Sequence, residues 1–88
     1  MKNYIVKCDK GKLTFKESRR LQATIERTKN GEYRCECAFH HGQCIGATYS
    51  EKNVAISKTL EYLESLSFDG VATYNGGRNV DFICNLLA

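Results

Sequence analysis

The hydrophobic residues of this chain change their period once, and that change limits the folds open to it. Up to Tyr49 apolar and polar side chains alternate. Leu13 and Phe15 flank Thr14; Leu21, Ala23 and Ile25 alternate with Gln22, Thr24 and Glu26; Tyr33, Cys35, Cys37 and Phe39 alternate with Arg34, Glu36 and Ala38. A period of two means strands with one buried face. Beyond Ser50 the spacing becomes three and four residues: Ala55, Ile56, Thr59, Leu60, Leu63 and Leu66 form one apolar stripe on a helix. Strands followed by one helix predict a two-layer α+β domain over residues 1–88. Its antiparallel sheet of five to seven short strands carries one helix packed on one face.

Turn chemistry sets the strand limits. Asp9-Lys10-Gly11 separates a strand over Tyr4 to Cys8 from one over Lys12 to Lys16. Asn30-Gly31 is expected to form a type I′ turn, which needs positive φ at both central residues, joining Leu21 to Thr28 with Glu32 to His40. His40-His41-Gly42-Gln43 turns the chain into Cys44 to Tyr49. Ser50 is the expected helix N-cap, with Glu51 well placed against the dipole, and Phe68-Asp69-Gly70 ends the helix. Gly70 to Tyr74 and Asn79 to Leu86 read as two further strands joined by Asn75-Gly76-Gly77; a short helix over Val80 to Ala88 is the alternative.

Charge is distributed unevenly. The formal charge of +3 divides into +6 for residues 1–34 and −3 for the remainder. If the helix covers the side carrying Leu13, Phe15, Leu21, Ile25, Tyr33 and Phe39, then Lys7, Lys12, Lys16, Arg20 and Arg34 point the other way with Thr14, Gln22 and Thr24. Such a basic, hydroxyl-bearing sheet face suits nucleic-acid phosphates or an acidic protein surface. Its aromatic residues alternate to the inner side, unlike sheets that stack bases. The chain has no proline, so only charge protects the strand edges, and homodimerisation through a sheet edge is open to it.

The run from Cys35 to Cys44 places three thiols and two imidazoles within ten residues. Cys37, His40 or His41, and Cys44 have the donor chemistry of a zinc site, with Cys8 or Cys84 as a distant fourth ligand. No C-x-x-C knuckle is present, and Cys35 and Cys37 continue the inward alternation as small hydrophobes, so core thiols are the stronger reading and no metal is assigned. A cysteine nucleophile with a histidine base lacks any oxyanion loop around it. Phosphate-loop and His-Glu-x-x-His patterns are absent, so no cofactor and no catalytic residue are assigned. Glu61 and Glu64 are read as a solvated helix face.

The stretch from Leu21 to Leu66, with Gly46-Ala47-Thr48-Tyr49-Ser50-Glu51-Lys52 before its helix, resembles in part the antitoxin domain of HicB-type toxin–antitoxin pairs and also double-stranded-RNA-binding domains. It departs from both. The antitoxin pattern has a proline before its glycine; the RNA-binding pattern has an N-terminal helix and a basic cluster opening the later helix, where this chain has only Lys52. No residue role is taken from either.

A domain this small buries only roughly 60 to 65% of its unfolded surface, which leaves little room for an enclosed active site. With no apolar leader and no run approaching the ~18 apolar residues of a membrane span, a cytoplasmic protein is expected, in the host cytoplasm if the source is viral. The expected function is non-enzymatic binding: an inhibitor of a larger protein or nucleoprotein assembly, of the viral or mobile-element anti-defence type that includes anti-CRISPR proteins, acting by steric or charge-complementary blocking. The alternatives are a nucleic-acid-binding regulator using the same basic face and a zinc-stabilised adaptor.

Overall fold

In the computed structural model, which describes residues 1–38 and 44–87, the chain forms six strands and two helices. The strands are β1 (Lys2–Asp9), β2 (Lys12–Glu17), β3 (Arg20–Arg27), β4 (Tyr33–Ala38), β5 (Cys44–Tyr49) and β6 (Ala72–Tyr74). Helix α1 (Lys52–Ser65) lies between β5 and β6, and α2 (Asp81–Leu86) follows β6. The sheet order is β5-β4-β3-β2-β1-β6. Five strands form an antiparallel meander. The sixth pairs parallel to β1, so the sheet is mixed and not purely antiparallel. The parallel pairing follows from connectivity: α1 carries the chain from one outer strand to the far side of the sheet, and the chain re-enters there in the direction of β1.

The alternating residues pack as their period requires. Tyr4, Val6, Leu13, Phe15, Ala23, Ile25 and Cys35 are buried on one face against Ala55, Ile56, Leu60 and Leu63 of α1. The C-terminal segment is a helix and not a strand. Asn79 Oδ1 accepts from the Asp81 amide at 3.0 Å and starts the turn, and Ile83 and Leu87, one helical turn apart, are both buried in the core. A second short helix thus shares the cover with α1.

The hairpin chemistry is partly redistributed. Lys10 and Gly11 hold φ of 54° and 76°, the type I′ geometry, between β1 and β2. At Asn30-Gly31 only Gly31 takes positive φ, at 80°. Its amide donates to the Thr28 carbonyl at 3.1 Å, giving a three-residue loop and not the expected two-residue turn. The type I′ pair appears instead at Asn75-Gly76, with φ of 55° and 85°, closed by mutual backbone bonds between Tyr74 and Gly77. The Asn75 side chain then continues the β6 ladder, accepting from the Val6 amide at 2.8 Å and donating to the Val6 carbonyl at 3.2 Å. Helix α1 begins one residue later than expected. Glu51 is its N-cap, in extended conformation with no side-chain capping bond, and Ser50 lies outside.

A β-bulge in β3 sets the open face. Phe15 opposes Ala23, but the next pair is Lys16 with Leu21, which leaves Gln22 as the extra residue. Register partners share a face, so Leu21 joins Lys16 and Ile5 on the side away from α1. Arg20, opposite Glu17, falls on the other side. The simple alternation that put Leu21 inward and Arg20 outward is corrected by this one residue.

Candidate partner-binding surfaces

Of the five cations expected to form a contact face, four lie on the open side of the sheet. Lys7 is opposite Thr14, whose hydroxyl donates to the Lys7 carbonyl at 3.4 Å. Lys12 sits between Asp9 and Glu26 in the cross-strand row, its Nζ 3.8 Å from a Glu26 oxygen. Arg34 Nε donates to Glu36 Oε1 at 2.9 Å. Lys16 lies between Ile5 and Leu21. Arg20 is displaced to the end of the sheet by the bulge. Among the described residues, Lys7, Lys16 and Arg20 have no carboxylate within ion-pair distance. The face therefore alternates in sign at one end, where Arg34, Glu26, Lys12 and Asp9 follow one another across four strands, and is basic at the other.

The basic end also carries exposed apolar side chains that sequence alternation did not reveal. Ile5 is 38% and Leu21 43% exposed, on either side of Lys16. Phe68 is 97% exposed, on the loop that joins α1 to β6. That loop is tied down. The Ser67 hydroxyl donates to Asp69 Oδ1 at 2.6 Å, the Val71 amide to the same oxygen at 3.1 Å, and the Gly70 amide to the Ser67 carbonyl at 3.0 Å. The N-terminal ammonium lies 3.1 Å from Asp69 Oδ2. These donors, the Ser67 hydroxyl foremost, hold the Asp69 carboxyl down at about 2. The Lys2 amide donates to the Val71 carbonyl, which places the loop where β1 begins, at the same end of the sheet as Ile5.

A second surface lies at the opposite edge. Between α1 and the inner side of β4 and β5 is a groove of about 190 Å³, lined by Cys35, Cys37, Ala47, Tyr49, Lys58, Thr59 and Tyr62. Burial raises the Cys35 thiol above its usual range, against the opposing pull of the Thr59 hydroxyl, and its Sγ donates to the Ala55 carbonyl at 3.6 Å. Burial, helped by nearby Cys37, also raises Tyr62. Both shifts favour the neutral, unreactive forms.

The remaining metal-ligand candidates do not converge among the described residues. Cys84 Sγ donates to Asn53 Oδ1 at 3.4 Å, and Cys8 lies opposite Leu13 on β1. His40, His41 and the Cys44 side chain lie outside the described residues. Among the rest, no three His, Cys, Asp or Glu side chains group as metal ligands. No helix among the described residues is long and apolar enough to cross a membrane. No protein-family model matches this chain, and neither a curated protein nor a solved structure matches it.

Proposed function

We propose that this chain is a small non-enzymatic binding protein that blocks a surface of a larger protein or nucleoprotein assembly, as an inhibitor of the anti-defence kind would. The observation that carries the reading is the Ile5–Lys16–Leu21 row. Two aliphatic side chains stand exposed on a sheet face with an unpaired lysine between them, and Phe68 is held out from the same end of the sheet. Exposed aliphatic side chains on a sheet face favour an apolar partner surface over water, and the unpaired lysine between them favours one with an acidic group nearby. Arg19 and Arg20 add further positive charge at that end.

The same geometry weighs against a polyanion as the main ligand. Asp9 and Glu26 lie on the open face among its cations, where each would repel a phosphate chain. The test is capture of a partner by wild type and by a folded Ile5→Ser, Lys16→Glu, Leu21→Ser triple variant, run beside a gel-shift assay with duplex and single-stranded nucleic acid at low salt. The expected result is partner loss in the variant and no shift with either nucleic acid. Unchanged capture overturns this surface, and retardation at micromolar protein overturns the choice of partner class.

A further inference from the structure

The sheet has two edges, and they differ. Strand β6 is three residues long, and Asn75 and the Tyr74–Gly77 turn close off the ladder at its end. Strand β5 is six residues long, pairs among the described residues only with β4, and contains no proline and no charged side chain. Charge, proline and shortness are the usual protections of an edge, and β5 has none of them. Its outward amides and carbonyls form a template for another strand.

Both faces beside this edge are shaped to take side chains. On the inner side, Ala47 and Tyr49 of β5 form one wall of the groove, with Tyr62 and the Lys58 stem on α1 above. A strand laid along β5 would direct every second side chain toward that groove. On the open side, Gly46 leaves a gap that the Arg34 guanidinium fills: a Cβ on Gly46 would lie 2.8 Å from Arg34 Nη2. Gly46 needs no positive φ, so what it supplies here is space. Arg34 is anchored through Nε to Glu36, which leaves its Nη donors lying across β5.

We propose that the outer edge of β5 binds an extended peptide of another protein by strand addition, with an acidic side chain of the peptide meeting Arg34 over Gly46 and the adjacent apolar side chain entering the groove. Main-chain bonds supply affinity, and the alternating acid and apolar positions supply specificity. A second copy of this chain fits less well, because β5 brings no carboxylate to Arg34. This edge lies across the sheet from the Ile5–Lys16–Leu21 row, so the two surfaces stand or fall separately.

The probe is a phage-displayed library of random peptides selected on the folded chain, followed by NMR titration of a selected peptide. Selection is expected to enrich sequences with an acid next to an apolar residue, and the titration to perturb residues 46–49, Arg34 and Tyr62. Arg34→Gln is expected to weaken binding about tenfold, the worth of one charged hydrogen bond, and to erase the preference for an acid. A peptide methylated on alternate backbone nitrogens should not bind. Enrichment without acids, equal binding of the methylated peptide, perturbation confined to the opposite edge, or concentration-dependent dimerisation through β5 would each overturn the assignment. An Ile5→Ser, Leu21→Ser variant should bind the peptide normally, which separates this site from the sheet-face contact.

Discussion

The rings of Tyr4 and Tyr74 stack with centroids 5.9 Å apart on neighbouring strands, yet only one of the two phenols has a hydrogen-bond partner among the described residues. Tyr4 donates to the Leu63 carbonyl at 2.9 Å, which joins the first strand to the last turn of α1. The Tyr74 hydroxyl is buried with no partner at hydrogen-bonding geometry among the described residues, while the Glu64 carboxylate lies near enough to act on it. Burial raises both phenols, Tyr4 to about 12 and Tyr74 with added push from the Glu64 carboxylate, so both stay protonated through the neutral range. Tyr4→Phe should therefore cost about 1 kcal/mol, the net worth of one hydrogen bond, whereas Tyr74→Phe should be neutral or slightly stabilising. Urea denaturation with unchanged slopes would show it. Equal losses in the two variants would mean that the Tyr74 hydroxyl donates to Glu64.

The Asp69 loop should make stability pH-dependent at the acid end. The carboxyl lies at about 2 against an ordinary 3.8, so the ionised form is favoured by folding. Its contribution is fully present well above 3.8 and is lost as pH falls toward about 2, because the unfolded chain takes up the proton first. The margin of wild type over Asp69→Ala should be flat near neutrality and shrink over that acid window. A margin that stays constant down to the lower value would mean the loop contacts do not depend on the charge.

How much of this was legible beforehand follows from which forces are local. The helix stripe from Ala55 to Leu63 and the inward set of Leu13, Phe15, Ala23, Ile25 and Cys35 follow from periodicity alone, because burial needs one face. The bulge at Gln22 is a property of two paired strands, and nothing in the Leu21–Gln22–Ala23 alternation marks it. It moved Leu21 outward and Arg20 away from the other cations. The parallel β6 and the helical fate of Ile83 and Leu87 also depend on where α1 delivers the chain. A signal for the helix was present in the i, i+4 spacing of those two residues, with Asp81 in the first turn. The gap at Gly46 was legible only as a glycine in a strand, a hint of close approach without its partner.

The bulge makes a prediction about neighbours in one strand. Leu21→Ser should change stability by no more than about 0.5 kcal/mol, as expected for a surface site, while Ile25→Ala should cost about 2 to 5 kcal/mol through the cavity it leaves. Thermal or urea denaturation of the two variants decides it. A large loss at Leu21 would place that side chain in the core and restore simple alternation.

Cys35 should be the least reactive of the described thiols that line or border the core. It is 5% exposed, donates to the Ala55 carbonyl and has its thiol form favoured by burial. Under native conditions its alkylation, followed by peptide mass spectrometry, should require opening of the α1–sheet contact and speed up in step with added denaturant. Modification of Cys35 as fast as the half-buried Cys8 and Cys84 would show that the groove admits reagent to the core.

Phe68 separates folding from binding most cleanly. A phenylalanine left 97% exposed contributes almost nothing to the core, and the loop that holds it is fixed by hydrogen bonds among Ser67, Asp69, Gly70 and Val71 that do not involve its side chain. Phe68→Ala should leave stability within about 0.5 kcal/mol of wild type, as for other surface changes. If the end of the sheet bearing Ile5 and Leu21 meets an apolar pocket on the partner, the same substitution should weaken capture by at least about tenfold, since an aromatic anchor that fills a pocket is worth more than about 2 kcal/mol. Asp69→Ala should weaken capture less, because it loosens the loop without removing the ring. A Phe68→Ala protein that is fully stable and binds its partner as wild type does would confine the contact to the sheet face itself.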